Sequence, residues 1–418
     1  MSEQTVDAQI ADPALYASAE RYHALFTRLR AEEPVRWTAP PGFRPFWLVS
    51  RHADIVQVER DPERFINAPR ALLRAQEIEE RLSQAQGGNS NLLRSMNNMD
   101  GDEHRNYRGV TQREFLRPNI EKLSAQVDAI AAEFVDRMIA RGPELDFVAD
   151  VANWYPLRVI MMLLGIEPEH EAKMLRLTQQ IFGLNDPEIR AQPDAPKDAP
   201  EAFQRFCEFF RPLMEDRRLA PRDDFASLIA NAKIAGQPMG DFETLSYFVT
   251  MATAGHDTTS ASIAGGLLAL IQNPQQLAAL RAMPDVTYGV ADEMIRWVAP
   301  VKHFFRTATA DCELGGQAVR AGDSLMLAYP SACRDESIYP DPFSFRLDRG
   351  SNPHLAMGTG VHVCLGQHLA RLEIRLFFRH LLARIEHFEL AGDPLWVEAT
   401  FISGLKRLPI RFTVKDAA

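Results

Sequence analysis

The residues with the most chemistry in this sequence lie in one short loop, Gly358-Thr-Gly360-Val-His362-Val-Cys364-Leu-Gly366. Two glycines two apart let the backbone turn sharply, because a residue without Cβ adopts positive φ at no steric cost. The loop runs into an amphipathic stretch with Leu365, Leu369, Leu372 and Leu376 on one helical stripe. A cysteine there stands at a helix N-terminus, where the dipole and free N–H groups stabilise a thiolate and lower its pKa. Such a thiolate could be a nucleophile, with His362 as its base, or an axial ligand to haem iron. Gly366 would let a flat macrocycle approach with no side chain in the way. A buried, inert cysteine in a glycine-containing turn is the plainer alternative, since free cysteines are among the most buried residues.

Three other groups could do chemistry. Ala254-Gly255-His256-Asp257-Thr258-Thr259 interrupts a strongly helical stretch, and the glycine alone costs about 1 kcal/mol there. A local conflict of that kind marks a function, a kink, or close helix packing. Glu293 and Arg296 stand at i and i+3 on one helix face, although most such pairs are solvated and contribute little. His104 and Arg108 stand at i and i+4, where two basic side chains suit a pair of carboxylates, or simply form an exposed basic face.

The elements that must position these groups are mostly helical. Asn119 to Arg141, Phe203 to Leu219, Phe242 to Gln272 and Leu365 to Ile385 repeat apolar residues at helical spacing. Phe46 to Val49 and Ser324 to Ala328 predict strands, Leu314 to Val319 a hairpin about Gly315-Gly316, and Leu408 to Val414 a final strand. The expected fold is mainly α with small β-sheets, as a single domain over 1–418. Gln86 to Asn91 reads as a polar loop, and four prolines between Asp186 and Pro200 forbid a continuous helix. The 418 residues carry a net charge of −10, with 46% hydrophobic and 24% charged residues, an ordinary globular balance without the basic excess of nucleic-acid binders. Met1 to Ala14 lacks the basic and apolar regions of a secretory signal. No run approaches the roughly 18 apolar residues of a membrane span, so a cytoplasmic location is expected. The four cysteines form no CxxC pair, which argues against a disulfide framework or zinc knuckle.

Taken together these motifs resemble the cytochrome P450 family. Gly358-x-Gly360-x-His362-x-Cys364-x-Gly366 is similar to its haem-binding loop, with Met357 where the pattern usually has Phe. The resemblance implies haem b with the Cys364 thiolate as axial ligand, between the long central helix and the cysteine loop. It implies that Thr258 holds iron-bound dioxygen and its water while Asp257 feeds protons, and that Glu293 and Arg296 brace the core behind the haem. By the same resemblance His104, Arg108, Arg306 and His362 are the propionate partners, and Gly358 and Gly366 belong to the cofactor site.

The implied function is a monooxygenase that inserts one atom of O2 into a C–H bond, with a haem-thiolate sensing protein as the alternative. Ala254 to Ser260, Arg296 to Lys302 and Cys364 to Ala370 look like the terpene-hydroxylating branch typified by the α-terpineol enzyme. Family position points to a pocket from the loop Ala71 to Met99, the region around Phe182, and Met251, Ala254, Val301, Phe304, Phe401 and Ile402. That lining is largely apolar, so the expected substrate is a compact hydrophobic molecule, a monoterpenoid or an alkyl-aromatic or cyclic hydrocarbon. Soluble bacterial members usually take electrons from NAD(P)H through a reductase and a separate iron–sulfur ferredoxin. Arg105, Arg113, Arg371 and Arg375 are candidates for a basic docking face, and a monomer without membrane or nucleic-acid partner is expected.

Overall fold

The computed structural model describes residues 5–416 apart from 86–90 and 184–185. Most of the expected loop Gln86 to Asn91 and part of the region around Phe182 therefore lie outside the described residues. The fold is mainly helical with small sheets, as the periodicity predicts.

The predicted helix Phe242 to Gln272 is two helices, Asp241–Ala254 and Asp257–Gln272, separated at Gly255-His256. Gly255 is also a packing glycine, since a Cβ there would lie 2.3 Å from Ile160 Cδ1. The second segment, the central helix, is buried on nearly every side. Its small residues permit this: a Cβ on Gly265 would meet Val298, and one on Gly266 would meet Met294, both on the helix Tyr288–Val298. The predicted helix Asn119 to Arg141 is likewise divided at Leu123, into Arg117–Lys122 and Ser124–Arg141. The cysteine helix, Gln367–Arg384, buries Leu369, Leu372 and Leu376 as the stripe predicts, and packs against Ser124–Arg141 and the central helix. Between Asp186 and Pro200 the prolines leave only one turn, Pro187–Arg190, before the helix Ala199–Leu219 begins.

The main sheet has the strand order Val35–Thr38, Phe46–Val49, Ser324–Ala328, His303–Ala308, Phe65–Ile66. Its pairings are antiparallel except that of Ser324–Ala328 with Phe46–Val49. Side chains alternate across a strand, so Phe305 joins the core with Phe46 and Leu48, whereas Phe304 and Arg306 face a large cavity. Gly315 and Gly316, both at positive φ, close the hairpin Cys312–Leu314 and Gln317–Val319.

Candidate functional site

One cavity, of about 1380 Å³ counting its mouth, gathers most of the candidate residues. Cys364, His362, Gly358 and Gly366 line it from the cysteine loop, Thr258, Met251 and Ala254 from the two helices about Gly255, and Arg108 from the helix Gly101–Gly109. Val301, Phe304 and Arg306 close another side. Phe401 and Ile402 stand behind that wall: Ile402 pairs with Val301 through the backbone, and the Phe401 ring lies 5.3 Å from that of Phe304. The sequence also left several lining residues unmarked, among them Glu59, Asn67, Ile160, Thr250, Ile295 and Glu373.

The loop around Cys364 is held from below. Gly358 and Gly360 have φ of 66° and 69°, and a Cβ on Gly360 would lie 2.3 Å from the Glu59 carbonyl oxygen. The Cys364 N–H donates to Met357 O at 2.8 Å. Cys364 is exposed to the cavity and surrounded by protein on its other sides. That burial pushes its thiol above the ordinary value, against the Gly366 N–H and the charges of Arg108 and Arg371. The depressed pKa expected from the helix terminus is therefore not found. The helix starts only at Gln367, and enclosure outweighs the dipole. A Cβ on Gly366 would meet nothing within 4 Å, so its open face points into the cavity.

Four nitrogen-bearing side chains gather at one end. Arg108 donates to Val363 O at 2.8 Å and so ties its helix to the cysteine loop. The rings of His104 and His362 lie 4.0 Å apart, and His104 Nε2 is buried without a partner. Burial and neighbouring arginine charge lower His104 to about 4, and His362 further still. The permanent positive charge therefore resides on Arg108 and Arg306, with the imidazoles as neutral donors. Arg306 already has a partner that the sequence did not reveal. Glu59, at the end of the helix His52–Glu59, accepts from Arg306 at 3.1 Å, from the Tyr329 hydroxyl at 2.7 Å and from the Thr359 N–H at 2.9 Å. Lone charged residues at helix ends usually face water, and Glu59 meets Arg306 across 247 positions of sequence.

These residues fit a haem. The cavity carries a thiol and an unobstructed glycine, and two arginines with a buried imidazole that lacks a partner among the described residues suit two propionates.

Beside Cys364, the helix break sets Thr258 on the cavity wall, with its hydroxyl donating to Ala254 O at 2.8 Å. Ser262 repeats this bond to Thr258 O at 2.8 Å. Asp257 points elsewhere: its Oδ1 lies 3.4 Å from His256 Nδ1, and its Oδ2 has no hydrogen-bond partner among the described residues. Burial raises Asp257, with His256 opposing, which readies it to carry a proton. His256, to which the sequence assigned no role, anchors the break through Asn153 O at 2.7 Å. Glu373 is fully buried with both oxygens unpartnered among the described residues, and burial raises it far above the ordinary carboxylate range.

Glu293 and Arg296 form a buried pair with two bonds of 2.7 Å, and not a solvated one. Arg296 also donates to Cys333 O and Pro342 O, while Glu293 accepts from Arg346 N, Arg349 and Asn352. Of the candidate docking arginines, Arg371 and Arg375 are half-buried in pairs with Asp292 and Asp285. Arg105 pairs with Asp102 at the surface. Arg113 is exposed and makes no ion pair among the described residues.

The family model described as Cytochrome P450 matches residues 67–413. The chain is 41% identical to Cytochrome P450-terp from a Pseudomonas species, over 96% of each chain. It is 33% identical to a Linalool 8-monooxygenase from Pseudomonas putida, over 96% of this chain and 97% of that one. The crystal structure of CYP108D1 from Novosphingobium aromaticivorans superposes with a TM-score of 0.90 at 41% identity, covering 99% of this chain and 100% of the other.

Proposed function

The chain belongs to the cytochrome P450 family and is a monooxygenase, and from that premise we propose that it hydroxylates a compact hydrophobic substrate, a monoterpenoid or an alkyl-aromatic hydrocarbon, with electrons from a separate ferredoxin. The observation that carries this is one cavity in which Cys364, Thr258 and two arginines meet a largely apolar wall that includes Met251, Val301 and Phe304. Two relatives named for terp and for linalool, a monoterpene alcohol, support the substrate class.

A haem held by a thiolate supplies activation of dioxygen by two electrons and two protons, and transfer of one oxygen atom to a C–H bond. The chain supplies the rest. Cys364 would ligate the iron; Arg108 and Arg306, with His104 and His362, would hold the propionates; Gly366 would leave room for the macrocycle. The Thr258 hydroxyl donates its hydrogen to Ala254 O, so its oxygen lone pairs are free to accept a hydrogen bond from a water in the cavity. Asp257, raised by burial and set off the cavity, takes up protons and passes them inward. Met251, Val301 and Phe304 exclude bulk water and orient the substrate by shape. Arg113, exposed and without an ion pair among the described residues, is the most available of the four arginines for an acidic ferredoxin, since Arg371, Arg375 and Arg105 are paired within the chain.

The test joins two spectra. The reduced protein under carbon monoxide shows the far-red-shifted Soret band of thiolate ligation, and Cys364→Ser loses it; a variant that keeps the band refutes the ligand assignment. Monoterpenoids and alkyl-aromatics are then titrated against the haem spectrum and assayed for NAD(P)H turnover with a ferredoxin system. A panel that neither moves the spectrum nor supports turnover refutes the substrate class.

A further inference from the structure

The stretch from Val298 to Phe304 is a partition between two cavities. Pro300, Val301 and Phe304 face the one already described. Val298 and Lys302 face a second, of about 1170 Å³ counting its mouth. The wall of this second space is largely apolar, with Leu268, Trp297, Phe343 and Trp396. Six polar side chains also line it: Tyr16, whose hydroxyl donates to Ile10 O at 2.9 Å, Gln272, Tyr22, His23, Lys302 and Arg334.

Lys302 and Arg334 are buried, and both cap the end of the helix Tyr288–Val298. Lys302 Nζ donates to Ala299 O at 3.0 Å and Val298 O at 3.3 Å. Arg334 donates to Arg296 O at 2.9 Å and Trp297 O at 2.6 Å. Cations suit a helix C-terminus, so these bonds account for the position of both side chains. They do not account for all of the donors. An ammonium carries three N–H groups, and Lys302 meets two acceptors. Arg334 Nε, the Tyr22 hydroxyl and His23 Nδ1 have no partner among the described residues.

Acceptors of opposite charge are missing as well. No Asp or Glu lines the cavity. The charges acting on Lys302 come from Arg334 and Cys333, and those on His23 from Arg334, Lys302, Arg30 and Arg296. The one carboxylate that acts on Arg334 is Glu293, which is committed to Arg296. Burial, with the Arg334 charge added, lowers Lys302 to about 7. A buried guanidinium, a buried lysine that an anion would hold in its charged form, and a surplus of donors thus border a largely apolar space with no carboxylate among its lining residues.

We propose that this second cavity binds a small organic carboxylate. Its two oxygens accept from Lys302, Arg334 and Tyr22, and its hydrocarbon part lies against the aromatic wall. The apolar lining favours an organic anion over an inorganic one, and the charge favours an anion over its neutral counterpart.

Benzoate, benzyl alcohol and inorganic phosphate are titrated into the haem-loaded enzyme, with calorimetry and the Soret band as paired readouts. Benzoate gives a saturable heat with an unchanged Soret band, and the other two bind at least about tenfold more weakly. Lys302→Met weakens benzoate about tenfold to a hundredfold, as the loss of one charge-assisted bond requires. Tyr22→Phe removes a hydroxyl that has no partner; the unliganded melting temperature holds and benzoate binds about threefold to tenfold more weakly. Absence of heat with benzoate overturns the proposal. So does a Soret shift that accompanies the heat, which places benzoate in the haem cavity, or equal affinity in the wild type and both variants. Phosphate binding as tightly as benzoate overturns the assignment to an organic anion.

Discussion

Removing the Glu293 carboxylate should be the most costly single change outside the haem cavity. Arg296 is fully buried, and Glu293 is its only counter-charge among the described residues, with bonds of 2.7 Å from Nε and Nη2. Three more donors converge on the same two oxygens: Arg346 N at 2.9 Å, Arg349 Nε at 3.2 Å and Asn352 Nδ2 at 3.1 Å. In Glu293→Gln one acceptor oxygen remains and an NH2 group faces donors, so Arg296 becomes an uncompensated buried charge. Breaking a buried pair in this way costs about 3–5 kcal/mol. For a chain of this size that corresponds to a fall of roughly 1 M or more in the urea midpoint. Trp297 is an internal reporter, since the Arg296 guanidinium lies 5.8 Å from its ring, and its fluorescence can be followed beside circular dichroism. Glu293→Gln combined with Arg296→Met should recover part of the loss, because the stranded charge is gone; Cys333 O and Pro342 O, which then lose a donor, limit the recovery. A single-variant loss below about 1 kcal/mol, or a double variant no better than the single one, would refute the buried-charge reasoning.

Thr258→Ala keeps NAD(P)H consumption but lowers product per NAD(P)H several-fold and raises peroxide; an unchanged ratio sinks the relay. The two loop glycines separate structural from cofactor space. Gly360→Ala forces a Cβ against the Glu59 backbone at positive φ and lowers the melting temperature of the haem-free chain, whereas Gly366→Ala leaves that temperature unchanged and weakens haem binding. Equal effects of the two on the haem-free chain contradict this division. Burial alone would raise Asp292, but its bond to His354 and the Arg371 charge outweigh burial and hold it below the ordinary range. Its stabilisation is therefore present above the unfolded value of about 4 and is lost as pH falls through the lower folded one. Asp292→Asn should cost about 1–2 kcal/mol at pH 7, and urea midpoints of the two proteins should converge in acid.

Much of this arrangement was legible in the sequence because local rules and tertiary demands agree there. The strands Phe46–Val49 and Ser324–Ala328 and the leucine stripe of the cysteine helix lie where periodicity put them. The conflict at Gly255 was visible, but not that it ends one helix and starts another. That outcome depends on Asn153 O, supplied by a distant π-helical turn at Val148–Ala152, and on Ile160. The sign of the Cys364 shift was misread because a dipole is a local property, whereas enclosure is known only when the chain is folded. Glu59 and Glu373 were illegible for the same reason: a single carboxylate in a helical segment carries no periodic signal, and only long-range packing decides whether it meets water, an arginine or nothing.

The Glu59 network also ties distant parts of the chain into one unit. Arg306 has a counter-charge, and the Tyr329 hydroxyl and Thr359 N–H have an acceptor, all from the polypeptide itself. The loop that carries Cys364 is thus docked on the helix His52–Glu59 by contacts that no cofactor contributes. Part of the entropy of ordering that loop is offset by the chain itself, so a substitution at Glu59 loosens the loop as well as Arg306.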